Sequence, residues 1–186
     1  MNILEVFTQR RSIKRFENRA VTRAEIETLL DAAVLAPNHR LTQPWRFYVL
    51  GPEARGRYGL ALGERKARKL EDPAAAQALR ERTADEYRAL PAMLAVAVVL
   101  HENPEVREED YAAVMMAVEN ILLAAVASGL GTHVRTGAVM DDPAARAAIG
   151  VPDGERVVAT VSLGVPAELP PVRARQAAAL LTTWVE

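Results

Sequence analysis

The sequence contains no cysteine, and this absence excludes several kinds of chemistry at once. Disulfide bonds, thiolate nucleophiles and cysteine-based zinc or iron–sulfur sites are all ruled out. An excess of one charge is also missing, because 23 basic and 24 acidic side chains leave a formal net charge of -1. No global electric field therefore attracts nucleic acid or an anionic membrane surface. Any selectivity for charged ligands must come from local groups.

A long hydrophobic run is missing as well. Residues 112–127 are apolar except for Glu119 and Asn120, so this segment is too short and too polar to cross a bilayer. Because it is apolar on all sides, we expect a helix buried inside protein, partly against a partner subunit. Residues 1–9 include Glu5 and lack the basic and apolar regions of a secretion signal. A cytoplasmic protein is the simplest expectation.

Sequence motifs for common cofactors and metals are absent. The Gly-Leu-Gly at 129–131 lacks the third glycine of a dinucleotide fingerprint and follows a predicted helix instead of a strand. There is no Walker loop, no zinc-protease motif and no nucleophile elbow. His39, His101 and His133 share no ligand-like spacing, so we expect no metal site.

Apolar periodicity and turn residues predict a chain of mixed helices and strands that forms one domain over residues 1–186. Thr22 and Glu25 form a capping box that starts a helix, and Pro37 stops that helix. A helix after Asp142 is predicted by the same capping logic. The predicted helices cover about residues 3–9, 23–36, 112–127 and 143–149, and the predicted strands cover 46–50, 93–100 and 156–163.

Three segments lack strong periodicity. Residues 53–89 are rich in Ala, Arg and Glu, so we expect them to be helical but exposed, and we interpret them as a mobile flap. The acidic residues 102–110 are predicted to form a loop before the long helix. The tail after residue 164 is predicted to be extended at first and apolar at its end.

The first candidate binding stretch is Arg10–Arg15, which we call the basic segment. It packs four cations and the hydroxyl of Ser12 into six positions. The planar donors of Arg can grip a phosphate with two hydrogen bonds, and Lys14 adds a mobile point charge. These residues suit an anion. The alternative is an ordinary solvated basic face.

A second unusual stretch lies at 36–45, just past a predicted helix end. Asn38 and His39 could either cap that helix or contact a ligand, and Trp45 is expected to anchor the core. The Val-Arg-Thr-Gly at 134–137 can place backbone N–H groups and a cation against a flat polar ligand, or form a surface turn. Asn120 on the apolar helix is expected to make a hydrogen bond across an interface.

The order of these features resembles the FMN-dependent nitroreductase family over nearly the whole chain. The most specific pieces are the Arg-Arg-Ser-Ile-Lys-Arg-Phe at 10–16 and the Ala-Pro-(x)n-Gln-Pro-Trp at 36–45. The short length and the motif at 134–137 are similar to the compact branch of the family. The resemblance implies an α+β fold with a central, mostly antiparallel sheet flanked by helices. It also implies a homodimer with FMN at the subunit interface.

The resemblance implies roles for individual residues. Arg10, Arg11 and Ser12 would hold the ribityl phosphate, while Lys14 would approach the pyrimidine edge of the flavin ring. A cation at that edge raises the reduction potential, because it interacts more strongly with the reduced flavin than with the oxidised flavin. The remaining implied contacts are Leu35, Asn38 and His39 from the second chain and Val134, Arg135 and Thr136 on the other side.

The same resemblance implies an NAD(P)H oxidoreductase. NADH or NADPH would give a hydride to the flavin N5, and a nitroaromatic, quinone or similar acceptor would then take the reducing equivalents, so no catalytic side chain is needed. One alternative is a related flavoenzyme that reduces enones, oxidises azolines or dehalogenates. Others are a flavin-binding protein without turnover and a basic adaptor for nucleic acid. Arg173 and Arg175 match the family's late basic pair only loosely.

Overall fold

The computed structural model describes residues 2–186 and shows helices around one antiparallel sheet. The strands lie in the order β1, β2, β4, β3, so β1 and β3 form the two edges. This confirms the predicted α+β class. The elements in chain order are α1 (Ile3–Gln9), α2 (Arg23–Ala33), β1 (Trp45–Val49), α3 (Pro52–Ala67), α4 (Pro73–Arg88), β2 (Ala92–Val99), α5 (Pro104–Ala127), β3 (Gly131–Arg135), α6 (Pro143–Ile149) and β4 (Glu155–Gly164). Short 3₁₀ turns lie at His39–Leu41 and Ala178–Leu181.

The sheet is apolar on both faces. Alternate side chains of β2 point to opposite faces, so Leu94, Val96 and Val98 pack with α2 and α5, while Met93 and Ala95 pack with α3 and α6. This explains why β2 is a continuous apolar run in the sequence. Trp45 belongs to the cluster on the α2 and α5 side, as predicted.

The long helix differs from the prediction at its start. It begins at Pro104, because the side chain of Asn103 accepts a hydrogen bond from the Glu105 backbone N–H, so most of the predicted acidic loop is helical. Within residues 2–186, α5 is the helix that has the length and apolar composition of a membrane span, with 44% of that window buried in the core. Asn120 donates to the Ala32 carbonyl oxygen of its own chain at 3.0 Å. The expectation that Asn120 bonds across an interface is therefore wrong.

The segment 53–89 is helical as predicted and is exposed along most of α4, but it buries one face of α3, which the sequence pattern did not predict. It forms α3 and α4, which pack against each other along three glycines of α3 that we call the glycine seam: Gly56, Gly59 and Gly63. A Cβ added at Gly59 would lie 2.7 Å from the Thr83 carbonyl oxygen. The sequence pattern obscured this packing, because glycine leaves no apolar periodicity to detect.

Candidate functional site

The basic segment runs beside the β3 edge of the sheet. The Ile13 N–H donates to the Thr132 carbonyl oxygen at 2.8 Å, and Ser12 forms a parallel bridge with Thr132. Farther along, the Ala167 N–H donates to the Arg15 carbonyl oxygen at 3.0 Å. The sequence predicted no partner for this stretch. Its backbone is extended and held by hydrogen bonds from two directions.

Close packing against β3 determines which side chains of the basic segment are buried and which are exposed. Ile13 is buried against Gly131, where a Cβ would lie 2.5 Å from Ile13 Cγ1. Side chains alternate along extended backbone, so Ser12 and Lys14 point away from the core and are exposed. Glycine at position 131 therefore lets the segment approach the strand closely enough for this pairing.

The cations of the basic segment differ in how they are compensated. Arg10 Nε lies 3.8 Å from Glu119 Oε1, while the Arg11 guanidinium donates only to the backbone carbonyls of Thr8 and Arg10, at 2.6 and 2.8 Å. Throughout residues 2–186, no carboxylate lies within 4.0 Å of Arg11 or Lys14. Arg15 has a distant partner in Glu168 at 3.7 Å. The segment thus retains positive charge that an anionic ligand can neutralise.

Residues 131–135 form β3, a strand that the sequence pattern did not predict; for 134–137 the alternatives were a ligand-binding motif and a surface turn. His133 and Arg135 share one face of β3, and Arg135 Nε donates to the Tyr87 hydroxyl at 3.0 Å. The pKa of His133 is lowered, first by burial and then by the charges of Arg135 and Lys14. The neutral form of the His133 imidazole is therefore favoured.

The other two implied residues of this motif differ in environment. Val134 packs against the core cluster on the α5 side, whereas Thr136 is exposed just past the strand end. Val134 can therefore offer a ligand its backbone, but its side chain already belongs to the core. Because glycine at 131 and the polar residues of this stretch give no alternation of apolar and polar side chains, the sequence pattern did not predict the strand.

The segment Asn38–Gln43, which we call the strained loop, has an unusual backbone. Arg40, Leu41 and Gln43 have φ angles of 65°, 51° and 47°, in the left-handed region that side chains disfavour. Each such residue costs about 1 to 2 kcal/mol. Such strain persists only where other contacts enforce it, and it is common at functional sites.

The contacts that enforce the strained loop come from the start of α5. Glu109 accepts from the Arg40 guanidinium at 3.2 Å and lies 2.9 Å from His39 Nδ1, contacts that lower the pKa of Glu109. The Thr42 hydroxyl donates to the buried carboxylate of Asp110. The sequence pattern did not identify Thr42 and Asp110 as partners. The one available signal was an acidic residue next to the apolar stretch of α5.

The candidate residues fall into two groups within one chain. Arg10 approaches α5 at Glu119, whereas the strained loop contacts Glu109. Ten helical residues separate these two points, which is about 15 Å along the axis. The structure therefore brings the basic segment and the residues after Gly131 together and keeps Asn38 and His39 apart from them. Leu35 follows the end of α2 with 79% of its surface exposed.

The tail after β4 carries Arg173 and Arg175, whose role the sequence did not determine. Arg173 and Arg175 are exposed, and no carboxylate of residues 2–186 lies within 4.0 Å of either. The tail also exposes large apolar side chains, including Trp184 with 88% of its surface accessible. Residues 169–177 form neither helix nor strand, and a 3₁₀ turn follows at Ala178–Leu181.

Comparison with known proteins is consistent across sequence and structure. Residues 7–165 match the model of the Nitroreductase family. YfhC of Bacillus subtilis strain 168, whose name assigns it provisionally to the NAD(P)H nitroreductases, is 31% identical over 92% of this chain and 88% of its own length. The nitroreductase-like family protein of Bacillus cereus superposes with a TM-score of 0.87 at 26% identity, covering 100% of this chain and 97% of that one.

A further solved structure carries a ligand. It is a protein of Desulfovibrio desulfuricans, provisionally named a nitroreductase and solved in complex with FMN. It superposes with a TM-score of 0.74 at 26% identity and covers 100% of this chain and 98% of that one.

Proposed function

Because this chain belongs to the nitroreductase family, we propose that it is an FMN-dependent NAD(P)H oxidoreductase that works as a homodimer. The acceptor class that we propose is nitroaromatics, quinones and similar compounds. Relatives named for NAD(P)H nitroreductase activity and a family structure in complex with FMN support the proposal. Each chain would contribute one domain over residues 1–186, since both apolar clusters share one sheet.

The observation that carries the proposal is the uncompensated charge of the basic segment. Arg11 and Lys14 have no carboxylate partner in the described chain, although the segment's backbone is firmly held. A phosphate at Arg10, Arg11 and Ser12 would supply the missing negative charge through charge-assisted hydrogen bonds. The donor set therefore fits FMN, and Lys14 two residues on would serve the ring edge.

Bound FMN would supply hydride transfer in both directions through its N5 atom. The chain's own contribution is binding and electrostatics. Lys14 favours the reduced flavin, and Arg135, fixed by the Tyr87 hydroxyl, adds positive charge along β3. Val134 and Thr136 would offer groups to the ligand beside that strand. No nucleophilic side chain is required for this chemistry.

The proposed dimer accounts for the exposed apolar surface and for the separation of the candidate residues. Phe7 of α1 and Met116 of α5 are exposed on neighbouring helices, and Trp184 is exposed on the tail. Large exposed apolar surface is typical of an interface between subunits. In the proposed dimer, Leu35, Asn38 and His39 of one chain would complete the site built on the basic segment of the other.

The test begins with the visible spectrum and the solution mass of the purified protein. We expect a bound flavin spectrum and a mass twice that of the 20.3 kDa chain. Anaerobic NADH or NADPH should bleach the flavin, and a nitroaromatic or a quinone should restore its colour. Bleaching without recovery would favour a different acceptor, and no bleaching would favour a flavin-binding protein without turnover. A colourless monomer that refuses added FMN would contradict the proposal.

A further inference from the structure

The carboxylate of Asp110 is buried in the second turn of α5, with 3% of its residue surface exposed. Among residues 2–186, no cationic group lies within 4.0 Å of it, and its hydrogen bond comes from the Thr42 hydroxyl. A buried carboxylate without a cation is costly unless a donor holds it. The Asp110 carboxylate therefore needs the Thr42 hydroxyl as its donor. The same hydrogen bond holds Thr42 in a fixed position.

The fixed position of Thr42 also orders the rest of the strained loop through further hydrogen bonds. A carboxylate can only accept hydrogen bonds, so the Thr42 hydroxyl donates its single proton to Asp110. The Thr42 oxygen must then accept a hydrogen bond from its other neighbour. That neighbour is Asn38 Nδ2, at 3.0 Å. The Asn38 amide is thereby oriented, and its Oδ1 accepts from the Gln43 backbone N–H at 2.7 Å. A chain of hydrogen bonds thus runs from α5 through Thr42 and Asn38 to a residue with left-handed backbone.

This network changes the part that Asn38 can play. Asn38 Nδ2 also donates to the His39 carbonyl oxygen at 3.1 Å, so the amide is used within the loop. The His39 ring is different, because its Nδ1 meets Glu109 while the exposed ring keeps Nε2 free of any hydrogen bond within the described residues. The loop therefore leaves the His39 ring accessible to a ligand, whereas the Asn38 amide holds the loop together.

We propose that Thr42 is a positioning residue, anchored by the buried Asp110 carboxylate, that fixes the strained loop so that it can contact the flavin of the neighbouring subunit. The inference rests on the proposed function for the identity of the ligand. The hydrogen-bond chain that carries it is independent of any ligand. Loosening this chain should release the backbone strain and lower flavin affinity without touching the phosphate site.

The experiment compares Thr42→Val, which removes the hydroxyl at nearly constant shape, with Thr42→Ser, which keeps the hydroxyl. Trypsin cleavage after Arg40 reports loop order without any flavin. We expect Thr42→Val to be cut about ten- to a hundredfold faster than the wild type, the factor that follows from losing one hydrogen bond to a charged group. Thr42→Ser should keep the wild-type rate. The control is Thr83→Val, since the buried Thr83 hydroxyl bonds only the Leu79 carbonyl within α4.

Flavin titration supplies the second readout. Thr42→Val should weaken FMN and riboflavin to the same degree, roughly three- to thirtyfold, because the loop would contact the ring and not the phosphate. Arg10→Ala should weaken FMN alone. Asn38→Ala keeps the buried pair and breaks the next link, so it should reproduce both effects of Thr42→Val even if that variant folds poorly.

Wild-type cleavage and wild-type flavin affinity in Thr42→Val and Asn38→Ala would overturn the inference. Faster cleavage with unchanged affinity would also overturn it, because the loop would then be ordered for some other purpose. If the wild-type protein binds no flavin at all, the proposed function fails, while the cleavage rates still report whether Thr42 orders the loop.

Discussion

Arg11 and Lys14 show how a single residue's partners distinguish a binding site from an ordinary charged surface. Within residues 2–186, Arg10 and Arg15 have a carboxylate within 4.0 Å, but Arg11 and Lys14 do not. The sequence could predict the cluster, because four cations in six positions are visible in one line of letters. It could not show which of them would remain uncompensated, because the carboxylates that pair with Arg10 and Arg15 lie far away in the chain.

The first prediction separates the roles of two cations in this segment. Arg10→Ala should lower FMN affinity about ten- to a hundredfold, since one charge-assisted contact to the phosphate is lost. Lys14→Ala should retain FMN and lower the flavin midpoint potential by about 30 mV, the equivalent of about 1.4 kcal/mol in a two-electron couple. Flavin titration and reduction against a redox dye measure the two quantities. Arg57→Ala and Lys69→Ala, on exposed surface elsewhere, serve as controls, and equal effects in all four variants would contradict the assigned roles.

The elements differ in how far their sequence reveals them. Capping boxes, Pro at the first helical turn and long apolar runs gave α2, α6, β2 and β4 with nearly correct bounds. The predictions failed where packing depends on small residues, since the Gly-rich faces of α3 and the short β3 have little periodicity. In the candidate site, residue type alone singles out the basic segment and the motif around Arg135. The network of Thr42 and Asp110 was missed, because 68 residues separate its members.

The glycine seam gives a prediction at this scale. Gly59→Ala should lower the free energy of unfolding by about 1 to 2 kcal/mol, because its Cβ would overlap backbone of α4 and the helix-propensity gain only partly offsets the strain. Gly56→Ala in the same helix should be neutral or stabilising, since its Cβ meets only the movable end of the Arg88 side chain. Chemical denaturation measures the free energy of unfolding of both variants. An equal loss of stability in the two would mean that close contact with the α4 backbone does not explain the glycine at position 59.

The capping box of α2 gives a prediction about pH. The hydrogen bond from Arg19, followed by those from Thr22, lowers the pKa of Glu25 from 4.5 to about 2. A lowered pKa means that the folded state favours the carboxylate, so this stabilisation is present above about pH 4.5 and is lost as the pH falls toward 2. Glu25→Gln should therefore be less stable than the wild type at pH 7, and the difference should vanish near pH 2. Glu27→Gln, which loses only its pair with Arg23, is the control. A gap between wild type and Glu25→Gln that stays constant with pH would contradict this account.

For the whole molecule, the exposed apolar side chains of α1, α5 and the tail are the surface that the proposed dimer would bury. Met116 has 42% of its surface exposed on a helix whose other side forms the core. Burying such surface against a second chain stabilises both the assembly and any site built between subunits.

Met116→Glu tests this link between assembly and binding. A charge in the proposed interface should shift the protein from dimer to monomer and lower FMN occupancy in parallel, since each site would need both chains. Size-exclusion chromatography with light scattering and the flavin absorbance measure the two effects. Leu60→Glu places the same charge at an exposed position of α3 and should change neither. A monomer of Met116→Glu with full flavin occupancy would exclude a site shared between subunits.

The pairing of the basic segment with the far end of the chain also determines when the protein can acquire its ligand. Ser12 is bridged to Thr132 and Phe16 to Pro166, contacts whose members are separated by most of the sequence. Contacts of this kind form late in folding, because a long intervening loop must be closed first. During synthesis, the amino-terminal arginines therefore leave the ribosome long before the strand that orients them. Cofactor loading should therefore follow synthesis of β3 and Pro166, and nascent chains that end before Thr132 should remain colourless.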